Sequence, residues 1–561
     1  MKPENSLLSN LKSFLVQLDS RRSILVVISI LIIIGSFLRV YGINKVYTEY
    51  DDIGVVSIHK GHIGSKNINP VEGFIDYPLE VDMESAHSIE NTILLPFYIA
   101  YTWTYAPAQY IFLPLLLNED DEFDVVVFKG RIISTIFSIM ALCLLSYLMY
   151  VLNGRLLTWI NPIVLTIPIF SANSILYAHH MGPYSAYFFS TSLGLVLVYQ
   201  YFISKITLRK IVILLSLLFY LSYLTVLFAL PIFLIYLFKL RDMNNFHWPK
   251  KYLQDFLTLL ISLIITAPGL LILKTNSGGK GVMPPEFIDI SSLIDIVYHL
   301  AIQFYVSIES ILYGVIRHDY LFVLLFFTIG LLLIKKLVIG YKKLNKTRIY
   351  VVSILSILFQ WIILHLFGAL PLDETRHMLV ILPLFTIVIF YAFKDINFKG
   401  YSLLAILVIS TATYSASIYS VNLIESKYSN FDYNLLNARD EKVILLYRST
   451  LGPLKYYDLS EKQVYFIDMN SFQNHYSKMD FPDEILLVSQ QTQIYNEGLY
   501  DKYKDLLPDL FCNYSIQSLY EKDSGIYFTY NNYDANSNKN GMFVYQMKKN
   551  KNKNKNKNNK C

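Results

Sequence analysis

The stretch Ser23-Ile-Leu-Val-Val-Ile-Ser-Ile-Leu-Ile-Ile-Ile-Gly-Ser-Phe-Leu38 holds no charged residue, and its reading decides the fold class. A bilayer core about 30 Å thick is crossed by about 20 apolar residues of helix. A helix suits that medium because it satisfies its own backbone hydrogen bonds. Working outward, residues 132–152, 183–203, 256–273, 320–334, 349–364, 377–393 and 401–423 are equally free of Asp, Glu, Lys and Arg. Hydrophobic residues make up 54% of the chain and charged ones 16%. An aqueous fold would have to hide every one of these faces at once, so the composition points to an all-α polytopic membrane domain.

The first run follows some twenty polar residues and ends in Arg39-Val-Tyr41-Gly42, without a small-x-small cleavage pattern. It reads as a retained anchor, not a cleaved leader. Cys143, Cys512 and Cys561 form neither a metal spacing nor a disulfide framework. The net charge of +5 matters less than its distribution. Basic residues gather before residue 23, in 204–210, in 239–251 and most heavily in 335–348. By the positive-inside tendency these segments are cytoplasmic. About eleven spans satisfy the alternation, with the N-terminus cytoplasmic and the C-terminus extracytoplasmic.

Residues 211–238 are charge-free but too long for one span, so a break is expected near Ser222–Thr225. Residues 91–117, with Pro96, Pro107 and Pro114 among many aromatics, read as an interfacial helix pair. The expected domains are a cytoplasmic N-terminus (1–22), a membrane domain (23–423) with a long first outer loop (41–129), and a small α/β extracytoplasmic domain (424–547). Strands are predicted at Val443–Tyr447, Val464–Ile467 and Glu484–Val488, and helices at 453–459 and 497–507. The Lys/Asn repeat 548–561 is expected to be disordered, since it cannot bury a core.

The segment Tyr47-Thr-Glu49-Tyr50-Asp51-Asp52-Ile53 puts three carboxylates just beyond the first span. Such a pair can supply a general base for an acceptor hydroxyl or amine. It can instead hold a divalent ion against a phosphate leaving group. A solvated acidic turn is the plain alternative. The loop that follows also carries Asp76, Asp82, Glu84, His87 and Glu90. Long loops in compact proteins are usually functional.

Arg39 followed by aromatic-Asp51-Asp52 resembles the Arg…Asp-Glu signature of GT-C-type membrane glycosyltransferases. The likeness is to the protein O-mannosyltransferase and aminoarabinose transferase superfamily. Lys129-Gly130-Arg131-Ile132-Ile133-Ser134 is similar to that family's Arg-rich start of the second span. Leu176-Tyr177-Ala178-His179-His180-Met181-Gly182-Pro183-Tyr184 resembles its outer turn between spans three and four. Glu374-Thr375-Arg376-His377-Met378 with Leu382-Pro383 resembles its Arg-Tyr…Pro motif. The departures are Asp52 for the usual Glu, His377 for Tyr, and His179-His180 where many relatives place Arg.

The resemblance implies Asp51 as catalytic base and Asp52 as its support or a metal ligand. Arg376, His179, His180, Tyr184 and Arg131 would bind the donor phosphate, with Arg39, Glu49, Glu84, His87 and His377 in supporting places. It implies a polyprenyl-phosphate sugar donor, an acceptor that is protein, lipid or polysaccharide, and a divalent metal ion as the one cofactor to consider. No nucleic acid partner is expected. Ser277-Gly278-Gly279-Lys280-Gly281, read as a flexible loop, and Arg317-His318-Asp319, which could join the site or anchor its helix, are weaker features. A transporter or lipid flippase is the rival. It would place ionisable residues at mid-membrane depth within broken helices and internal repeats.

Overall fold

The computed structural model describes residues 21–41, 43, 74–75, 106–118, 121, 123–242, 254–267, 346–366, 377–394, 436–447, 463–466, 481–489, 514–523 and 541–550, apart from isolated positions. The chain forms two compact units. The predicted helices at 453–459 and 497–507, the Ser277–Gly281 turn and Arg317–Asp319 lie outside the described residues.

The first unit is helical. Helix α1 spans Arg21–Val40 and encloses the run that opened the sequence. Its Leu25, Val26, Ile30, Ile33 and Phe37 are exposed, while Ile24, Ile28, Gly35 and Arg39 are buried. An outward apolar face is costly in water and free of cost in hydrocarbon. Two four-residue helices, Ala108–Ile111 (α2) and Leu113–Leu116 (α3), follow in chain order, and both are far shorter than a span requires. Tyr110 and Leu113 are buried, whereas Ile111, Phe112 and Leu115 are exposed, so the segment is two-faced. Ala106 packs with Phe219 and Tyr223.

Helix α4 runs Phe123–Leu152 and thus carries Lys129 and Arg131 inside a helix that the charge pattern places only from 132. Helices α5 (Ile160–Phe170) and α6 (Ala172–Leu176) lead into a 3-10 turn at Tyr177–His179. The pair bends by 61° just after Pro168, which cannot donate to the helix ladder. Helix α7 spans Tyr184–Phe202. The 211–238 stretch breaks as expected: α8 is Leu208–Leu218, a 3-10 segment covers Tyr223–Phe228, and α9 is Ala229–Asp242. Helices α10 (Leu257–Ala267), α11 (Lys346–Leu366) and α12 (Ile381–Phe393) complete the described helices, α12 being preceded by a 3-10 turn at His377–Val380.

Helix α5 packs against both α1 and α12, and α9 against α11. Close approach is bought with glycine: a Cβ on Gly35 would sit 3.1 Å from Leu142 and 3.3 Å from Ile169. Among the described residues two helices are long and apolar enough to cross a membrane, or three if the bent pair counts as one span.

The second unit contains a six-stranded sheet in the order β1-β3-β2-β4-β6-β5. Its strands are β1 Phe74–Ile75, β2 Val443–Tyr447, β3 Gln463–Phe466, β4 Glu484–Ser489, β5 Tyr514–Asp523 and β6 Gly541–Lys549. Strands β3, β2 and β4 are parallel, and the outer pairings are antiparallel. Ile485, Leu486, Leu487 and Val488 are all buried, so β4 is covered on both faces, as central parallel strands are. β1 comes from the first long loop and pairs with β3, with Phe74 opposite Tyr465. Residues 74–75 and β3 are thus hydrogen-bonded neighbours although nearly 400 positions apart in the sequence. β6 runs two residues into the Lys/Asn repeat: Lys548 pairs with Glu484 and Ser515, and Lys549 with Tyr514. The repeat is therefore structured at its start, because backbone pairing to two neighbours holds side chains that could not build a core.

Candidate functional site

The residues around the exit of α1 explain the buried charges of the helical unit. Arg39 is fully buried, and its guanidinium makes five hydrogen bonds. Nε donates to Ser138 Oγ at 2.7 Å, and Nη1 to the carbonyls of Gly35 at 2.9 Å and Ile169 at 3.2 Å. Nη2 donates to the Pro168 carbonyl at 2.9 Å and to Ser174 Oγ. The carbonyls of 168 and 169 end helix α5, where no further turn of that helix donates to them. A cation there also meets the negative end of the helix dipole. Arg39 thus caps α5 from a neighbouring helix, with all three guanidinium nitrogens donating to protein acceptors.

The chain leaving α1 is held by the very stretches that the sequence singled out. His179 Nε2 lies 2.7 Å from the Arg39 carbonyl. A carbonyl only accepts, so Nε2 carries the proton and the imidazole's orientation is fixed. Thr135 Oγ1, one helical turn beyond Arg131, donates to the Ala178 carbonyl at 3.0 Å and reaches the Arg39 carbonyl at 3.3 Å. Arg131, buried on α4, donates from Nη1 to the Ile43 carbonyl at 2.8 Å. A Cβ on Gly130 would collide with the side chain of Met181, so this glycine lets α4 approach the 177–184 turn. Three sequence stretches far apart along the chain meet here.

The turn itself is aromatic and buried. The ring of Tyr177 lies 4.9 Å from that of Tyr184 and 5.5 Å from that of His180, and Tyr184 meets Tyr187 edge-on at 6.1 Å. Ser185 Oγ donates to the Tyr177 carbonyl at 2.9 Å. His179 closes the 3-10 turn, while His180 is extended (φ −112°, ψ 145°), so the adjacent imidazoles leave the backbone in different conformations. A Cβ on Gly182 would stand 2.6 Å from the Tyr184 ring, which requires glycine at that position. The 377–380 turn, opened by His377, packs against α7.

Arg131, His179, His180 and Tyr184 are therefore buried together near the chain's exit from α1. Asp51, Asp52, Glu49, Glu84, His87 and Arg376 lie outside the described residues, as does the side chain of His377. Among the described residues no group of three His, Cys, Asp or Glu is arranged to hold a metal ion. The candidate carboxylate ligands are not in that set, so a metal's fit is carried by the sequence alone. Sequence reasoning missed Thr135, Ser138 and Ser174. Their only signal was a hydroxyl within a charge-free run, which is common in membrane helices.

No protein-family model and no curated protein matches the sequence. Among solved structures the chain is similar to ArnT from Cupriavidus metallidurans bound to undecaprenyl phosphate, with a TM-score of 0.44 and 9% identity. The alignment covers 94% of this chain and 98% of that one.

Proposed function

We propose that the chain is a GT-C-type membrane glycosyltransferase that moves a sugar from a polyprenyl-phosphate donor to an acceptor on the extracytoplasmic face. One observation carries this reading. The backbone leaving α1 is tied through the Arg39 and Ile43 carbonyls to His179 and Arg131, only eight residues before Asp51. In this reading the acidic segment 47–53, which follows Ile43 closely in the sequence, supplies the base.

In this reading the acceptor oxygen or nitrogen attacks the anomeric carbon as its bond to the donor phosphate oxygen breaks. Asp51 takes the acceptor's proton, and the lipid phosphate departs with the bonding electrons. Configuration inverts because attack and departure are on opposite faces. Asp52 supports the base. Arg376 meets the leaving phosphate, where a planar guanidinium offers two parallel donors. Tyr184 and His180 form the aromatic wall beside it.

The bent pair α5–α6 supports the transporter reading, since broken helices frame transporter sites. It is the weaker reading, because Arg39 already takes up carbonyls freed at the break.

The test is transfer of radiolabelled sugar from polyprenyl-phosphate donors in membranes carrying wild type or Asp51→Asn. Incorporation by wild type and its loss in a stably inserted variant is expected. Equal incorporation by both removes Asp51 from catalysis, and silence with every donor moves the assignment to the transporter.

A further inference from the structure

A second feature of the helical unit belongs to none of the motifs. Helices α8, α9 and α10, with the 3-10 segment 223–228, line a half-open cavity of about 600 Å³. Ligand pockets commonly range over roughly 300–1,000 Å³. Leu208, Val212, Phe219, Ile232, Phe233 and Leu259 give it an apolar wall.

The hydroxyls in that wall are already engaged. Ser216 and Ser262 share a hydrogen bond at 2.7 Å, and Thr225 donates to the Ser222 carbonyl and Thr266 to the Ser262 carbonyl, each at 2.9 Å. Among the lining residues Asp255 is the one ionisable acid, and the rest of the wall is apolar or carries engaged hydroxyls. Apolar surface is best covered by apolar groups, and in a membrane the solvent that can enter this opening is a hydrocarbon chain.

One end of the cavity is charged. Leu208 and Val212 begin α8, whose first turn and preceding loop expose Lys205, Arg209 and Lys210. The single acid in the wall, Asp255, accepts from Tyr236 Oη at 2.7 Å. One turn beyond Tyr236, Lys239 donates to the Tyr201 carbonyl and lies 4.0 Å over the Tyr201 ring. Among the described residues cations therefore outnumber the acid at this rim. All of them fall in segments that the sequence assigns to the cytoplasmic side.

We propose that this cavity holds one acyl chain of an anionic phospholipid from the cytoplasmic leaflet, with the phosphate of its headgroup on Arg209 and Lys210. Clusters of Lys and Arg at that surface attract anionic lipid. The proposal needs only that the chain spans a membrane, and it does not depend on the transferase reading.

The experiment uses the full chain in phosphatidylcholine nanodiscs doped with phosphatidylglycerol that carries a photoreactive group near the end of one acyl chain. Cross-links are expected on the cavity wall, around Phe219 and Phe233. The same label on phosphatidylcholine should give roughly tenfold less. Val212→Trp and Ala229→Phe fill the cavity and should reduce labelling to that lower level. Leu214→Trp, exposed and outside the wall, should leave it unchanged. Arg209→Ala with Lys210→Ala, both on the surface, should erase the headgroup preference even if the filled variants do not fold. Labelling that survives cavity filling overturns the proposal. So does equal labelling by phosphatidylcholine, or displacement of the probe by polyprenyl phosphate.

Discussion

Two buried charges, one in each unit, solve the same problem differently. Arg39, among the helices, is surrounded by carbonyls and hydroxyls. Glu441, two residues before the central strand β2, is held by a cation and an amide. Arg439 donates to it from Nη2 at 2.9 Å and from Nε at 3.2 Å, and Gln546 Nε2 donates at 2.6 Å. Arg439 keeps a large part of its side chain in solvent, so only half of this pair is desolvated. Near water, an ion pair can leave one partner partly hydrated. In hydrocarbon neither partner could be, and the cheaper arrangement spreads one planar cation over acceptors that a broken helix leaves vacant.

The comparison is broken most directly at Arg39. Arg39→Met should destabilise the helical unit by about 3 kcal/mol, since each hydrogen bond among membrane helices is worth about 0.6 kcal/mol and five are lost. Arg39→Lys should recover part of this, because one ammonium cannot reproduce the fork. Thermal unfolding of the purified protein in detergent measures both, and an unchanged Arg39→Met would show that the cap is dispensable.

Next in size is the packing that needs no charge. A Cβ on Gly194 would lie 2.6 Å from the Phe228 ring, so Gly194→Val should cost about 1–3 kcal/mol by overpacking. A retained unfolding temperature would mean that the 223–228 segment yields.

In the sheet the expected effect is smaller and depends on pH. Burial, the largest single influence, opposes ionisation of Glu441, but hydrogen bonds from Arg439, its own backbone N–H and Gln546, together with the Arg439 charge, hold the carboxyl below the usual glutamate range. A depressed folded value contributes stability above the ordinary glutamate pKa, and that stability is lost as pH falls through the lowered one. Glu441→Gln should therefore cost about 1 kcal/mol at neutral pH and flatten this part of the acid dependence. Denaturant unfolding between neutral and acidic pH checks both, and parallel curves for wild type and variant would remove Glu441 from the acid response. The smallest effect belongs to Lys548 and Glu484, 3.1 Å apart and both about half exposed: Lys548→Ala should change stability by less than about 0.5 kcal/mol. A larger loss would show that the start of the Lys/Asn repeat does more than lend backbone to β6.

Legibility followed the same divide between hydrophobic pattern and partner. β2, β3 and β4 were readable because their runs are apolar at nearly every position, the mark of strands covered on both faces. β5 and β6 were not. Tyr-Ser-Ile-Gln-Ser-Leu-Tyr-Glu-Lys-Asp (514–523) alternates imperfectly around a bulge at Ser518–Tyr520, and β6 ends in lysines. β1 is two residues long and exists only because β3 offers it an edge. In the helical unit the motif at 129–134 and the turn at 176–184 stood out by their resemblance to the family's motifs. That both grip the exit of α1 could not be read, since those hydrogen bonds join residues separated by 88 and 140 positions.

By itself the sequence determined the solvent in which this chain folds, the break within 211–238 and the central strands of its sheet. Each follows from local hydrophobic pattern, which acts over a turn or a strand. The tertiary structure alone decided what the buried polar groups do. Arg39, read as a helper at the site, caps α5, and His179 and Arg131 hold backbone carbonyls at the start of the acidic segment. A buried cation goes where unsatisfied acceptors converge, and those acceptors are created only when distant helices end side by side.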